Sequence, residues 1–542
     1  MTINVIEALK LQETSFEEIN KTHGQTDITS KHSDYIIDES KLAGGSAEWL
    51  FFPKTEQEVI AIIRKMHEDK TPITISGGRT GIVGSAVPFG GAVISTDEMK
   101  NILGLGYDED KQKYYVRMQP GITLEELDDI IKNKEFTADN NIDGEDWVTK
   151  FKQDSTNYIF PIDPTEMTAA IGGAIAANAS GGRSFKYGAM RFWVRRLRII
   201  LDTGEVLDIT RGQYKAEKGV FLIKTENKEI KVTVPTYEMP KAKNAAGLYA
   251  KSDMDLVDLF VGSEGIFGFI SEIELWINPK VNGLPNVMFF TSEDDSISFV
   301  EKLRADKELD VEYIEFFDEN SFELLKGKAN TNPALANVLT IPPEVKTAIF
   351  FEVPYTEDKL EDIIVKLDDM AVECNSSIDS CWSAFDEVER ENFKAMRHAV
   401  PETVNAIIAS RKNEYPEIHK LGTDMSVLHE HFREMMDIYH STLKEHNLEY
   451  AMWGHIGDSH VHVNILPRNL EELELGKKIY KKFAKKAVEF GGSVSAEHGI
   501  GKIKHEYLIV MYGEEGVNQM RAVKNALDPY GMFNRGNMFD AD

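Results

Sequence analysis

Apolar residues recur at two different spacings along this chain, which predicts a fold that mixes helices and strands. A helix is expected over residues 56–69, where apolar side chains stand three and four positions apart: Val59, Ile60, Ile63 and Met66. The run at 72–76 is rich in β-branched residues and predicts a strand that leads into a glycine-rich loop. The regular pattern begins at Ser46, so residues 1–45 are predicted to be an irregular leader with one short helix.

A change in composition near residues 278–279 predicts a second structural unit. Beyond this point the chain is more charged, with helices expected at 358–374 and 470–490, a strand at 347–353, and a loop and candidate lid at 329–343. The predicted organisation is a leader (1–45), a first domain (46–279, with an excursion at about 207–250), a cap domain (280–520) and a C-terminal segment (521–542).

Composition narrows the class of protein. With 542 residues, of which 42% are hydrophobic, the chain is long enough for two or three globular domains. The formal net charge of -29 argues against nucleic acid or an anionic membrane as the main partner, because both attract positive surfaces. Two cysteines are too few for a disulfide framework or an iron–sulfur cluster. The sequence shows no apolar run of 18 residues, so we expect no transmembrane segment. It also shows no signal peptide, so we expect a cytoplasmic protein, or one that binds peripherally to the membrane.

Three glycine-rich segments point to nucleotide chemistry. They lie at 77–84, 172–182 and 262–268, and the first follows a predicted strand directly. Glycines at such places let the backbone approach a ligand closely, and successive N–H groups can hold a pyrophosphate. One such run is equally well explained as a tight turn, but three together are typical of a bound nucleotide. The segment 77–84 is neither a dinucleotide fingerprint nor a Walker A loop.

A histidine-rich segment, WGHIGDSHVHVN, suggests a metal site. On a strand, alternation would place His460, His462 and Asn464 on one face, with His455 folding back from the preceding turn. Two imidazoles and a carboxylate commonly bind a divalent metal, and Glu497 in the segment SAEHGIG is the candidate carboxylate. A buried, hydrogen-bonded core residue is the ordinary explanation for any one of these histidines, but not for the whole pattern.

These segments resemble the vanillyl-alcohol-oxidase-type flavoproteins. The motifs PITISGGRTGIVG, FPIDPTEMTAAIGGAIAANASGG and DLFVGSEGIFGFISEIEL are similar to those of the D-lactate dehydrogenase, glycolate oxidase and D-2-hydroxyglutarate dehydrogenase branch. The resemblance runs from about residue 46 to 540. It implies an α+β fold in which a two-subdomain FAD-binding domain is joined by an α+β cap, or substrate, domain with an antiparallel sheet.

The resemblance also implies which residues would bind FAD. The first loop would hold the pyrophosphate, the second segment the flavin and ribityl chain, and a third group the rest of the cofactor. These positions are Ser76, Gly77, Gly78, Arg79, Thr80, Gly81, Gly84 and Ser85; Pro164, Thr165, Thr168, Gly172, Gly173, Ala177, Asn178, Ser180 and Gly181; and Gly188, Gly265, Ile270 and Asn534. Asn534 would bring the segment 521–542 back to the FAD domain. Arg79-Thr80 stands where some relatives carry a flavin-linked His or Cys, so we expect non-covalent FAD.

In the histidine block, the segments HIGDSHVHVN and SAEHGIG are similar to the branch motifs HxGDGNxHxN and SxEHGxG. The resemblance makes His455, His462 and Glu497 ligands of a divalent metal (zinc, manganese or iron) and His498 the catalytic base, with Asn464 facing the substrate. Ser459-His460 departs from the usual Gly-Asn, and His460 is either an added ligand or a determinant of substrate preference.

Two cationic residues complete the implied substrate site. Arg397 would pair with the substrate carboxylate, because a guanidinium fork suits it, and Lys420 is a second carboxylate partner. Their spacing is longer than usual, which suggests an insertion around 404–416. At the C-terminus, Arg535 and Asn537 replace a proline and a lysine of the related closing motif.

The implied reaction is oxidation of a small D-2-hydroxy acid to the 2-oxo acid, with hydride transfer to flavin N5, a metal that orients the hydroxyl and His498 as base. D-lactate is favoured because the sequence shows no basic cluster beyond Arg397 and Lys420; D-2-hydroxyglutarate and glycolate stay open. A sugar oxidase, a metal-dependent hydrolase and a non-catalytic flavin subunit are rival hypotheses. The electron acceptor is equally open between a quinone, a cytochrome and an electron-transfer flavoprotein. The oligomeric state is open as well, and a homodimer is one possibility.

Overall fold

Four short strands in the first hundred residues form one sheet. The structure, a computed structural model, describes residues 2–4, 14–142, 144–225 and 229–540. The strand order in this sheet is Lys21–His23, Trp49–Phe51, Ala92–Ser95 and Ile73–Ser76, parallel except for the first pair. The helix predicted from apolar spacing is present as Glu56–Glu68, and it covers this sheet. It starts at a capping box between Thr55 and Glu58.

The N-terminal leader is more regular than its sequence predicts. Besides helix Gln25–Lys31, it contributes strand Lys21–His23 to the edge of the four-stranded sheet. Phe16 explains this placement, because its ring packs 5.6 Å from that of the buried Phe51. The prediction of an irregular leader with one short helix is therefore wrong for its described part. Residues 5–13, where a signal sequence would lie, are outside the described ranges.

A second, five-stranded antiparallel sheet continues the first half. Its strand order is Val206–Thr210, Val194–Ile200, Phe269–Trp276, Lys113–Met118 and Ile102–Asp108. The helices around it are Leu124–Asn133, Trp147–Gln153, Ile171–Ala176, Ser184–Tyr187 and Val257–Phe260. Minor pairings join Tyr158–Ile159 to Asn278–Pro279 and Thr2–Asn4 to the hairpin Val220–Lys224 and Glu229–Thr233. The predicted excursion thus starts with a strand of this sheet, and residues 226–228 lie outside the described part.

The second half is built on a seven-stranded antiparallel sheet. Its order is Cys381–Ser383, Gly283–Phe290, Thr347–Pro354, Ile314–Phe317, Tyr450–Gly454, His462–Ile465 and Leu421–Gly422. The accompanying helices are Glu293–Ala305, Glu319–Ala329, Leu360–Val372, Glu387–Arg411, Phe432–Glu445, Leu470–Glu489 and His505–Leu527. We call this half the cap. Buried residues of the cap sheet and of the five-stranded sheet form one continuous hydrophobic core.

Two segments of the cap differ from expectation. The predicted loop at 329–343 contains a 3₁₀-helix, Pro333–Thr340, because Leu335 and Val338 are three residues apart and both buried. The suggested insertion around 404–416 largely continues the helix Glu387–Arg411. Within the described ranges, no helix is both long enough and apolar enough to cross a bilayer.

Candidate functional site

The three glycine-rich segments line one cavity of about 380 Å³ between the two halves of the chain. Most of the predicted cofactor residues lie on its wall: Gly77, Gly78, Arg79, Thr80, Gly81, Ser85, Pro164, Thr165, Gly172, Gly173, Ala177, Ser180, Gly181, Gly265, Ile270 and Asn534. His455, Glu497 and His498 of the cap close the cavity. The sequence segments that suggested a nucleotide and those that suggested a metal therefore meet in space.

The glycines of this wall fit a bound cofactor. A β-carbon added to Gly81 or Gly173 would meet no atom within 4 Å, and neither residue has a positive φ. Neither the backbone conformation nor the packing around these residues requires glycine. A side chain there would instead project into open space, where it would compete with a ligand for the cavity. The residues present therefore fit FAD.

Five predicted cofactor residues do not line the cavity: Ser76, Gly84, Thr168, Asn178 and Gly188. Asn178, with φ 50°, accepts the N–H of Arg191 at 3.1 Å and donates to the carbonyl of Asn244 at 3.3 Å. Gly84 has φ 76° and faces Leu42. Because these residues do not line the cavity, their direct contact with FAD stays a prediction.

Arg79 turns its side chain back onto the end of the preceding strand. Its guanidinium donates to the Gly77 carbonyl at 2.7 Å and pairs with Asp97 at 3.0 Å, while its own φ is 60°. The loop 77–85 contains neither His nor Cys. The expectation of non-covalent FAD therefore stays a prediction that this loop chemistry favours.

The predicted metal ligands come together as a group. The 3₁₀ turn Ile456–Asp458 and Ser459, at φ 53°, bring His455 back beside His462. Nε2 of His455 lies 3.3 Å from Glu497 Oε1, and Nε2 of His462 lies 3.6 Å from Glu497 Oε2. One donor atom from each residue lies within 4.8 Å of the others. Because Nδ1 of His462 is 2.9 Å from the Thr423 carbonyl, its Nε2 is the nitrogen left for a ligand. The donor set thus fits a divalent cation.

A buried lysine that the sequence analysis missed adjoins this group. Lys243 pairs with Glu497 Oε1 and lies 3.5 Å from Asp458 Oδ2, with 6% of its side chain exposed. Burial alone would lower the pKa of Lys243, but Glu497 and Asp458 raise it above its ordinary value. Burial raises the pKa of Glu497, but the charges of His455 and Lys243 outweigh this effect. The pKa of Glu497 is therefore held well below its usual range. Lys243 lies in the charged excursion, where no local motif distinguishes it.

His498, the predicted base, is oriented by Asp424. Nδ1 of His498 is 3.2 Å from Asp424 Oδ2, and the same carboxylate accepts the backbone N–H of His498 at 3.0 Å and of Glu497 at 3.2 Å. Asp424 is fully buried, and Lys504 is 3.3 Å away. Burial raises the pKa of Asp424, but His498 and Lys504 hold it well below its usual range. With Nδ1 directed at Asp424, Nε2 of His498 is free to act at the cavity.

His460 lies behind the ligand group. The strand begins only at His462, and His460 forms an isolated bridge with Ser426 just before it. Donor atoms of Asp424, His460 and His462 also lie within 4.8 Å of one another, so the role of His460 as an added ligand stays a prediction. Its ring is fully buried, 4.5 Å from the ring of His462, with Nε2 3.3 Å from Asp424 Oδ1. Burial lowers its pKa to about 3, so it is a neutral neighbour of Asp424.

The three predicted substrate residues differ in placement. Arg397 is bound through Nε and Nη2 to both oxygens of Glu315, at 2.8 and 2.5 Å, and Glu315 in turn lies 3.3 Å from Nδ1 of His455. Burial lowers the pKa of Lys420, which has no ion-pair partner among the described residues. Asn464 is buried, and its amide donates to the His462 carbonyl at 3.2 Å. None of the three lines the cavity, so each role stays a prediction.

Both halves of the chain match known protein families. Residues 47–149 and 152–210 match the family described as FAD binding domain, and residues 286–538 match FAD linked oxidases, C-terminal domain. A D-lactate dehydrogenase of Anaerostipes hadrus is 28% identical over 519 residues, which are 93% of this chain and 92% of the relative. A D-2-hydroxyglutarate dehydrogenase of Stutzerimonas stutzeri is 27% identical over 529 residues, 95% and 96% of the two chains.

A solved structure shares the fold. An alkyldihydroxyacetonephosphate synthase superposes with a TM-score of 0.60 over 97% of this chain and 88% of its own, at 14% sequence identity. At that identity the match concerns architecture alone. Together with the two family matches, it confirms the predicted arrangement of an FAD-binding part and a cap with an antiparallel sheet.

Proposed function

The chain belongs to the FAD-linked oxidases and is an FAD-dependent oxidoreductase, and on that premise we propose that it oxidises a small D-2-hydroxy acid to the 2-oxo acid. The observation that carries the proposal is the placement of His498, held by Asp424, beside a two-histidine, one-carboxylate group, of which His455 and Glu497 line the cofactor cavity. The relatives named for hydroxy-acid oxidation align with nearly the whole chain, which supports the same class of reaction here.

The chain's residues divide the work of the reaction. When bound, FAD supplies the two-electron acceptor for the hydrogen on the substrate's α-carbon. His455, His462 and Glu497 would hold a divalent metal, which would supply positive charge near the substrate hydroxyl. His498 takes the hydroxyl proton through Nε2, because Asp424 occupies the Nδ1 side and stabilises the imidazolium that forms.

The charges near the site favour a small substrate with one carboxylate. Arg397 keeps one guanidinium nitrogen outside its pair with Glu315, and Lys420 is unpaired among the described residues. Two other nearby cations already face carboxylates: Lys243 pairs with Glu497, and Arg183 lies 3.8 Å from Asp163. A second substrate carboxylate would need a further free cation. We therefore expect D-lactate ahead of D-2-hydroxyglutarate, with glycolate as the smaller candidate.

Steady-state turnover with an artificial electron-accepting dye tests the proposal. We expect D-lactate to be oxidised faster than D-2-hydroxyglutarate and glycolate. The variant His498→Ala should lose about a hundredfold or more in kcat, the usual contribution of a general base, while retaining its flavin. A near-normal rate in this variant would remove His498 from the mechanism. Turnover of a sugar would favour a sugar oxidase, and turnover of none of the acids would favour a non-catalytic flavin subunit.

A metal-dependent hydrolase is the hypothesis that the comparisons weaken most. It would use the same histidines and Glu497 with an activated water. It leaves the FAD binding domain match and the glycine-lined cavity without a function.

A further inference from the structure

The N-terminal segment places a buried carboxylate on the wall of the cofactor cavity. Asp38 lines the cavity and is 2% exposed. Its Oδ1 accepts the backbone N–H of Ser40 at 3.0 Å and the Ser40 hydroxyl. Its Oδ2 is buried and has no hydrogen-bond partner in the part of the chain that the structure describes. An unsatisfied buried acceptor is costly, and because Asp38 lines the cavity, a group bound there can supply the missing donor.

Several contacts fix this segment to the first glycine-rich loop. The ring of Tyr35 lies 4.2 Å from the Arg79 guanidinium, and its hydroxyl donates to Asp97 at 2.5 Å. The N–H of Glu39 donates to the Arg79 carbonyl at 3.2 Å, and Leu42 packs against Gly84. The position of Asp38 therefore follows from the docking of residues 35–42 on the loop.

A second residue on the wall of this cavity also carries an unsatisfied polar group. Thr96, at the end of strand Ala92–Ser95, is 4% exposed and lines the cavity. Its hydroxyl has no hydrogen-bond partner among the described residues. Two unsatisfied polar atoms on one wall indicate a ligand that carries hydrogen-bonding groups of its own.

We propose that Asp38 Oδ2 accepts a hydrogen bond from a hydroxyl or amino group of bound FAD. The pyrophosphate is excluded as the partner, because two negative groups would repel each other. The remaining donors are the hydroxyls of the ribityl chain or the ribose and the adenine amino group. Asp38 is thus part of the cofactor site, although it precedes the matched FAD binding domain, which starts at residue 47.

The variant Asp38→Asn tests this assignment. Asparagine supports the same turn through one oxygen but replaces the acceptor that faces the cavity with a donor. Titration of the apoprotein with FAD, followed by flavin fluorescence, should show a Kd raised about tenfold or more. The matched control is Ser40→Ala, which removes only a donor to Oδ1 and should leave the Kd within about twofold of wild type. An unchanged Kd in Asp38→Asn would overturn the proposal.

Titration with FMN locates the donor. If Asp38→Asn raises the Kd for FMN as much as the Kd for FAD, the donor is on the ribityl half of the cofactor. If only the Kd for FAD rises, the donor is on the adenosine half. If the variant does not fold, hydrogen exchange of residues 35–42 in the wild-type protein decides. FAD should slow this exchange, and equal exchange with and without FAD would contradict the proposal. Neither assay contains substrate, so the outcome does not depend on the proposed reaction.

Discussion

At the scale of single residues, Glu315 joins two parts of the proposed site. Its carboxylate binds Arg397 on one side and faces His455 on the other. Burial raises the pKa of Glu315, but the Arg397 guanidinium and His455 outweigh this and lower it to about 2. The residue is therefore ionised in the folded protein at every pH at which the enzyme would work, and it keeps Arg397 in place.

This pKa predicts how the stability contributed by Glu315 depends on pH. A carboxylate whose folded-state pKa lies below its unfolded value stabilises the protein above the unfolded pKa, and the stabilisation is lost as the pH falls toward the folded value. We expect Glu315→Gln to lower the free energy of unfolding by on the order of 3 kcal/mol at pH 7. The loss should be clearly smaller at a pH of about 3.5, between the folded and unfolded pKa values. Urea unfolding at both pH values measures this, and an equal loss at both would contradict the assigned pKa.

At the scale of single elements, the short turn after His455 determines whether the histidines meet. Ser459 ends the 3₁₀ turn in the left-handed region, and its hydroxyl is 3.2 Å from Nδ1 of His429. A residue with a branched β-carbon is strained in this conformation, whereas glycine adopts it freely. The turn therefore disfavours a β-branched residue at position 459.

A pair of substitutions tests this turn. Ser459→Val should destabilise the protein by about 2 kcal/mol or more, because it adds backbone strain at a buried position. Ser459→Gly should stay within about 1 kcal/mol of wild type, since the relieved strain offsets the lost hydroxyl contact. Chemical denaturation compares the two. Similar free energies for both variants would mean that the left-handed conformation does not constrain this turn.

Elements with a strong local pattern can be predicted from the sequence. The helix Glu56–Glu68 and the strand Ile73–Ser76 follow from apolar spacing and β-branched residues, and His455, His462 and Glu497 follow from their motifs. The sequence predicts a loop where the structure has the 3₁₀-helix Pro333–Thr340, because its polar and small residues are typical of loops and only burial distinguishes its apolar face.

The residues that complete the site could not be predicted, because their partners are distant in sequence. Lys243 is 254 residues from Glu497, and Asp424 is 74 residues from His498. Asp38 lies in a segment whose sequence shows no motif. A short pattern contains no information on such contacts, which arise only when the two halves of the chain pack together.

At the scale of the whole molecule, Lys243 links the first half of the chain to the cap. Its ammonium reaches Glu497 and Asp458 across the interface, in a place closed to solvent. Removal of one member of a buried ion pair leaves the other charge without compensation, which usually costs several kcal/mol.

The variant Lys243→Met should therefore lower the free energy of unfolding by about 3 kcal/mol, measured after treatment with a chelator. Lys243→Arg keeps the charge and should retain most of the stability. Flavin absorbance of the native proteins shows whether the cavity still closes. A loss below about 1 kcal/mol in Lys243→Met would mean that the interface does not rely on this charge.

The central claim concerns the flavin and the substrate together, so the most direct measurement is the anaerobic visible spectrum of the purified protein during addition of D-lactate. The account predicts a yellow protein whose flavin absorbance is bleached by D-lactate and not by L-lactate, with D-2-hydroxyglutarate and glycolate acting more slowly. A yellow protein that none of these acids bleaches would contradict the assigned reaction. A protein that binds no added FAD would contradict the cofactor site itself.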